Sequence, residues 1–374
     1  MLKHSVILTS KLHIMVPIIK VVGDFCNLRC RYCFYHTRDQ QTPSIMSDDL
    51  LDKFIFQYLN IFRERASFVW HGGEPLLAGI DFFKRIVVLQ KKYAKVQFIQ
   101  NYVQTNGTLL NDDWASFFKS NNFRVGVSLD GCEQSHDKFR KKYQGDGSFN
   151  LVMKGVDILL RHGIRPGFIQ TLPKANLSQI RKDFNFFAQL FADESVVWGI
   201  NSYLDPLEMN HKMLDEQITN REFITYLKKY INLWLMKNDS RLQIREIDYL
   251  VARLLGKEVG SCAYNGNCTG YFCLDYNGKV YPCDRFAGQQ EFLFGDLSKQ
   301  SLINILNSDQ RLSYAKKVNS LPNDCKKCEW QKLCNNGCSH HRVGGVDGKY
   351  YYCETRRTIF SFFQKKLDNL RLAD

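Results

Sequence analysis

Cys26-Asn27-Leu28-Arg29-Cys30-Arg31-Tyr32-Cys33 puts three thiols within eight residues, just behind Pro17–Val22, an apolar run that reads as a strand. Three thiolates at this C-x3-C-x2-C spacing can hold three corners of a [4Fe–4S] cube and leave the fourth iron open to a non-protein ligand. Zinc is the plainer alternative, but a structural zinc site wants four ligands and no fourth cysteine lies nearby. Three unrelated buried thiols would be plainer still.

Outward from this loop, short apolar runs alternate with amphipathic segments to about residue 201. Pro17–Val22, Ser67–His71, Gln97–Gln104, Phe123–Leu129, Gly167–Leu172 and Val196–Asn201 are rich in Val, Ile and Phe and are predicted strands. Asp49–Arg63, behind Ser47 as a candidate N-cap, and Asp81–Tyr93, Asp112–Lys119, Phe149–Arg161 and Leu177–Phe191 have helical spacing. Six β-then-α units predict an α/β fold with a parallel sheet, open or curled into a partial barrel. Working groups in such folds sit at the C-terminal strand ends. Here those ends carry Gly23-Asp24, His71-Gly72-Gly73-Glu74, Gln104-Thr105-Asn106-Gly107, Ser128-Leu129-Asp130-Gly131 and Asn201.

The 374 residues are 44% hydrophobic and 13% aromatic, which excludes a disordered chain. No apolar run reaches the ~18 residues of a membrane span, and the first residues lack the features of a signal peptide, so a cytoplasmic protein without a membrane partner is expected. The formal charge of +13 is spread over short runs such as Lys91-Lys92, Arg140-Lys141-Lys142 and Lys326-Lys327, which do not form a nucleic-acid-binding arm.

Thirteen cysteines in a reducing compartment point to metal ligation or redox chemistry before disulfides. Beyond Gly260 they become dense. Cys262, Cys268 and Cys283 are followed by Cys325-x2-Cys328-x5-Cys334-x3-Cys338 and then Cys353, eight thiols that would fill two four-ligand sites of either zinc or iron–sulfur type. Cys132 and Cys273 are left over. The expected organisation is an extension over residues 1–16, a barrel over 17–235, and a bridge, cysteine-rich domain and last helix over 236–374.

The loop Cys26–Cys33 with Phe34-Tyr35, followed by Gly72-Gly73-Glu74-Pro75, resembles the radical S-adenosylmethionine (SAM) superfamily. The resemblance implies a partial (β/α)6 TIM-like barrel in which the amino and carboxylate groups of SAM chelate the open iron. An electron from that cluster then releases a 5′-deoxyadenosyl radical that abstracts hydrogen. It implies SAM contacts at Gly72, Gly73 and Glu74, at Ser128 for the ribose or carboxylate, at Arg140 for the carboxylate and at Tyr35 near adenine. The plainer readings are a helix-start carboxylate for Glu74, a turn for Ser128, a solvated charge for Arg140 and barrel packing for Tyr35. The eight later cysteines resemble the SPASM domain, which implies two auxiliary [4Fe–4S] clusters, one on Cys262, Cys268, Cys283 and Cys338 and one on Cys325, Cys328, Cys334 and Cys353. With the SAM cluster that makes three, and an electron donor such as flavodoxin or ferredoxin is implied.

Within the superfamily the chain resembles the group joining anaerobic sulfatase-maturating enzymes to peptide maturases of ribosomally made natural products. Asp284 matches the aspartate proposed in sulfatase maturases to take a proton from the substrate, against a plainer reading as an ion pair with Arg285 or an exposed turn acid. Cys33-Phe34-Tyr35-His36, Gln104-Thr105-Asn106-Gly107, Asn201 with Leu204-Asp205-Pro206-Leu207, and the spacing of Cys262, Cys268 and Cys283 are of the sulfatase-maturase type. His71, where those enzymes usually carry Gln, the absence of their Thr after Pro75, Gly145-Asp146-Gly147-Ser148-Phe149 and Asp284-Arg285-Phe286-Ala287-Gly288 look more like the cyclophane-forming Xye, Grr and Fxs types. The resemblance therefore favours an oxidoreductase that installs a carbon–carbon crosslink in a precursor peptide, with His71 at the barrel mouth or simply packed inside it. Formylglycine formation on a sulfatase Cys or Ser is the runner-up. A zinc-stabilised binding module is the non-enzymatic alternative. With only about 16 residues ahead of the first strand, no leader-binding domain is expected there.

Overall fold

The computed structural model describes residues 15–37, 44–95, 98–191, 195–202 and 215–371. Leu204-Asp205-Pro206-Leu207 and nearly all of the expected 1–16 extension lie outside the described residues.

Among the described residues ten strands form one sheet. They are β1 (Val16–Lys20), β2 (Arg65–His71), β3 (Phe98–Thr105), β4 (Arg124–Ser128), β5 (Gly167–Leu172), β6 (Val196–Ser202), β7 (Leu242–Ile244), β8 (Tyr271–Asp275), β9 (Lys279–Tyr281) and β10 (Gly295–Asp296). β1 to β7 lie side by side in chain order and parallel, the arrangement of a partial (β/α) barrel. The six expected strands all form, each within two residues of its expected ends. The sheet is larger than expected because β7, from the bridge, extends one edge, while β8 pairs parallel with β1 at the other and leads into antiparallel β9 and β10.

Alternation explains the strands. Ala66, Phe68 and Trp70 of β2 turn one face into the core, and Phe68 and Trp70 stack at 5.6 Å. Crossover helices cover the sheet. Asp48–Ile61 starts where Ser47 accepts from Leu50 N and buries Leu51, Phe54, Ile55 and Tyr58. Phe149–Arg161 buries Val152, Val156 and Leu159. The expected helix Leu177–Phe191 is an α-helix over Ile180–Gln189 entered through a 3-10 turn at Lys174–Gln179. The bridging helix spans Asn220–Lys237, closed at its start by a reciprocal Thr219–Glu222 capping box, and the last helix runs Cys353–Arg371. The cysteine-rich region is more regular than its sequence texture implied, with helices at Leu302–Leu306 and Asp309–Val318.

Candidate functional site

The first cysteine loop is tied down on both flanks. Arg29 N and Arg31 N donate to Lys141 O and Phe139 O at 2.7 and 2.9 Å, and Gly73 N and Glu74 N donate to Gly23 O and Phe25 O, both at 2.9 Å. That approach explains the glycine pair. A Cβ on Gly73 would stand 1.9 Å from Phe25 O, and Gly72 sits at φ +114°. Cys26 Sγ accepts weakly from Leu28 N, and Asn106 Nδ2 bridges to Asn27 Oδ1 at 2.8 Å. Burial and the neighbouring Cys30, Glu74 and Cys33 charges push the Cys26 thiol up, and burial pushes Cys30 up to about 12. Two buried thiols that resist ionisation, with the Cys33 thiol beside them, are a donor set whose repulsion a bound metal cluster would relieve.

Glu74 is wholly buried. Its Oε1 accepts from Leu76 N and Thr105 Oγ1 at 3.0 and 2.8 Å and its Oε2 from Asn106 N at 2.6 Å. The helix-start reading is thus present, but the carboxylate also clamps the end of β3. Burial raises its pKa to about 7 against these three donors. Ser128, at the end of β4, accepts from Gln104 Nε2 at 3.1 Å. Arg140 is no solvated charge. It is 7% exposed, with Nε 3.1 Å from Asp130 Oδ2 and its guanidinium over the Tyr32 ring.

Tyr35, His71 and Asp284 come together from three separate elements. The Tyr35 hydroxyl donates to Asp284 Oδ2 at 3.0 Å and lies 3.5 Å from His71 Nδ1. Tyr35 is 5% exposed, which fits barrel packing with a polar task at its tip. His71 Nδ1 accepts from Gly72 N at 2.7 Å, which fixes the neutral tautomer with its proton on Nε2. Burial and the nearby Lys20 and Arg285 charges keep the imidazole neutral, although Asp284 pulls the other way. Burial alone would raise Asp284, but the Arg285 and Lys20 charges and the Tyr35 hydroxyl hold it below the usual carboxylate range. It is therefore ionised and half-buried, at the head of the turn Asp284–Phe286.

Lys20 belongs to this site and was not anticipated. Its side chain is fully buried at the end of β1, pairs with Asp24 and Asp275, and holds Nζ 4.7 Å over the Tyr35 ring. The one signal in the sequence was a lysine closing an apolar strand.

All thirteen cysteines are free thiols. Cys262 feels Cys268, Cys338 and Cys283, and Cys325 feels Cys353, Cys334 and Cys328, so the eight gather in two groups of four. Among the described residues no three Cys, His, Asp or Glu are set for a single metal ion. Thiolates around a four-iron cube stand farther apart than those around one zinc. Cys132 Sγ lies 3.8 Å from Ser135 Oγ, and Cys273 is buried in β8. No described helix is long and apolar enough to cross a membrane.

Residues 21–187 match the model of the radical SAM superfamily and residues 262–329 that of the SPASM iron-sulfur cluster-binding domain. The chain is 32% identical over 369 residues to the serine-type anaerobic sulfatase-maturating enzyme of Bacteroides thetaiotaomicron, covering 92% of this chain and 88% of that one. It is 34% identical over 367 residues to the cysteine-type enzyme of Clostridium novyi, covering 94% and 95%. The structure of native anSMEcpe with bound AdoMet and Kp18Cys peptide matches with a TM-score of 0.86 at 30% identity, covering 96% of this chain and 99% of that one. Fold, thiol loop and auxiliary region define a radical SAM, SPASM-type peptide-modifying enzyme, whose cofactors are SAM and [4Fe–4S] clusters. The chain belongs to the family of anaerobic sulfatase-maturating enzymes.

Proposed function

We propose that this enzyme oxidises a cysteine or serine side chain of a sulfatase to formylglycine. The observation that carries the reading is the ionised Asp284 held by Tyr35 at 3.0 Å beside Cys283, in a chain similar along its length to sulfatase-maturating enzymes. The carbon–carbon crosslink favoured by the sequence finds no support among these relatives.

Cys26, Cys30 and Cys33 hold the SAM-binding cluster. Cys262, Cys268, Cys283 and Cys338 hold the first auxiliary cluster, and Cys325, Cys328, Cys334 and Cys353 hold the second, three in all. When bound, SAM and the clusters supply a hydrogen-abstracting radical and a sink for one electron. The chain's own residues do the rest. Gly72 and Gly73 would let backbone approach SAM closely, and Glu74 would accept hydrogen bonds from its ammonium group. Ser128 and Arg140 serve the ribose and carboxylate end. Asp284 takes the proton from the substrate thiol or hydroxyl, while Tyr35 fixes Oδ2 and His71 walls the site as a neutral ring. A reduced electron donor such as flavodoxin or ferredoxin completes the cycle.

Anaerobic incubation of the reconstituted enzyme with SAM, reductant and a sulfatase-derived peptide carrying the Cys or Ser tests this. An aldehyde that reacts with hydrazine reagents is expected. A product about 2 Da lighter, with no aldehyde and a new carbon–carbon bond by fragmentation, would replace formylglycine with the crosslink.

A further inference from the structure

Arg285 stands where the base and the first auxiliary thiol group meet. Its Nη1 lies 3.1 Å from His341 Nε2, and its guanidinium carbon is 5.9 Å from the Phe34 ring centroid. With Cys262, Cys338 and His341 it lines a cavity of about 240 Å³. Cys338, Asp284 and Cys283 all lie within electrostatic reach of it. His341 is buried, and its Nε2 meets the guanidinium directly. The arrangement is a fixed cation with thiols and a carboxylate both in its neighbourhood.

A guanidinium stays charged at every accessible pH. A fixed cation beside an iron–sulfur centre favours the state with one more electron, because net charge and hydrogen bonding set such potentials. We propose that Arg285 is a positioning residue for electron transfer, raising the reduction potential of the cluster on Cys262, Cys268, Cys283 and Cys338 so that it accepts the electron of the substrate radical as Asp284 accepts the proton. The inference rests on the ligand assignment proposed above.

The step balances. The substrate carbon radical loses one electron and its heteroatom loses one proton, closing a C=S or C=O bond. The electron would pass to the auxiliary cluster held by those thiolates, and the proton would neutralise Asp284. The negative charge gained on the thiolate cage would equal that lost on the carboxylate, so the net charge around Arg285 would be unchanged by the step.

The test uses reconstituted enzyme in which Cys26, Cys30 and Cys33 are alanine, so that only auxiliary clusters report. In an EPR-monitored redox titration, Arg285→Gln should keep its iron and shift one auxiliary couple toward the oxidised state by at least about tenfold, ~59 mV for one electron. Arg285→Lys should recover most of that shift. In the otherwise intact enzyme, product per 5′-deoxyadenosine should fall with Gln and recover with Lys. An unmoved potential with full iron overturns the proposal. Should Arg285→Gln lose iron, His341→Phe, which removes the guanidinium's acceptor, must shift the same couple, and no shift there overturns it equally. Failure of the ligand assignment shows separately, as a Cys262→Ala, Cys338→Ala protein that loses no iron.

Discussion

Tyr35 and Asp284 lie 249 positions apart and meet through one hydrogen bond of 3.0 Å. Tyr35 follows the first thiol loop and Asp284 follows Cys283, so this contact joins the radical-generating end of the barrel to the auxiliary region. Asp284→Asn keeps the size of the side chain but removes the base. Modified peptide should fall by ~10²-fold or more while SAM binding and uncoupled 5′-deoxyadenosine formation persist. Measuring both products in one anaerobic assay checks this, and undiminished peptide modification would leave Asp284 a structural role alone.

His71 accepts from Gly72 N through Nδ1. His71→Gln introduces the residue usual in sulfatase maturases and retains a side-chain acceptor. Aldehyde formation should stay within about threefold of the parent, whereas His71→Ala, which removes the acceptor beside the SAM loop, should lower it about tenfold, on the scale of one lost hydrogen bond. An enzyme for which His71 defines a crosslink would instead lose product on His71→Gln while still cleaving SAM.

Gly73 has no room for a side chain, since its Cβ would meet Phe25 O at 1.9 Å. Gly73→Ala should force the loop from its seat beside Cys26. SAM affinity, followed by equilibrium dialysis, should drop at least ~10-fold, and the melting temperature should fall by several degrees.

Asp183 gives a pH signature away from the metal ligands. It is buried, accepts from Cys132 N and Ser135 Oγ at 3.1 and 2.9 Å, and burial raises its pKa to about 6. The folded state therefore binds a proton that the unfolded chain has already lost between roughly pH 4 and pH 6. Stability linked to this group is present at the acid side of that window and declines as pH rises through about 6. Asp183→Asn should flatten that decline, and denaturant unfolding of parent and variant across the window measures the difference. Equal slopes would assign the dependence to other groups.

The barrel was legible because each of its strands is a short apolar run closed by polar or glycine residues, and Pro17–Val22 or Gly167–Leu172 needs no partner to be recognised. Cys26-x3-Cys30-x2-Cys33 was legible because a local spacing carries its chemistry. What escaped depends on partners distant in sequence. β8 reads as Tyr271–Asp275 only once β1 lies beside it, and Lys20 becomes a site residue only when Asp24, Asp275 and the Tyr35 ring surround it. The crosslink expectation leaned on His71, and the relatives along the chain are sulfatase-maturating enzymes instead. Side-chain identity at one strand end does not by itself specify the reaction.

The pairing of β8 with β1 governs how the chain must be made. Val16–Lys20 leaves the ribosome early, yet the strand that covers its outer edge, Tyr271–Asp275, is synthesised far later. At ~5–20 residues per second the delay is roughly 10–50 s. Throughout that interval the nascent barrel presents an unpaired edge, a template for pairing with another chain. Deleting the auxiliary region would make that temporary state permanent, so a truncated barrel should aggregate rather than survive as a minimal enzyme.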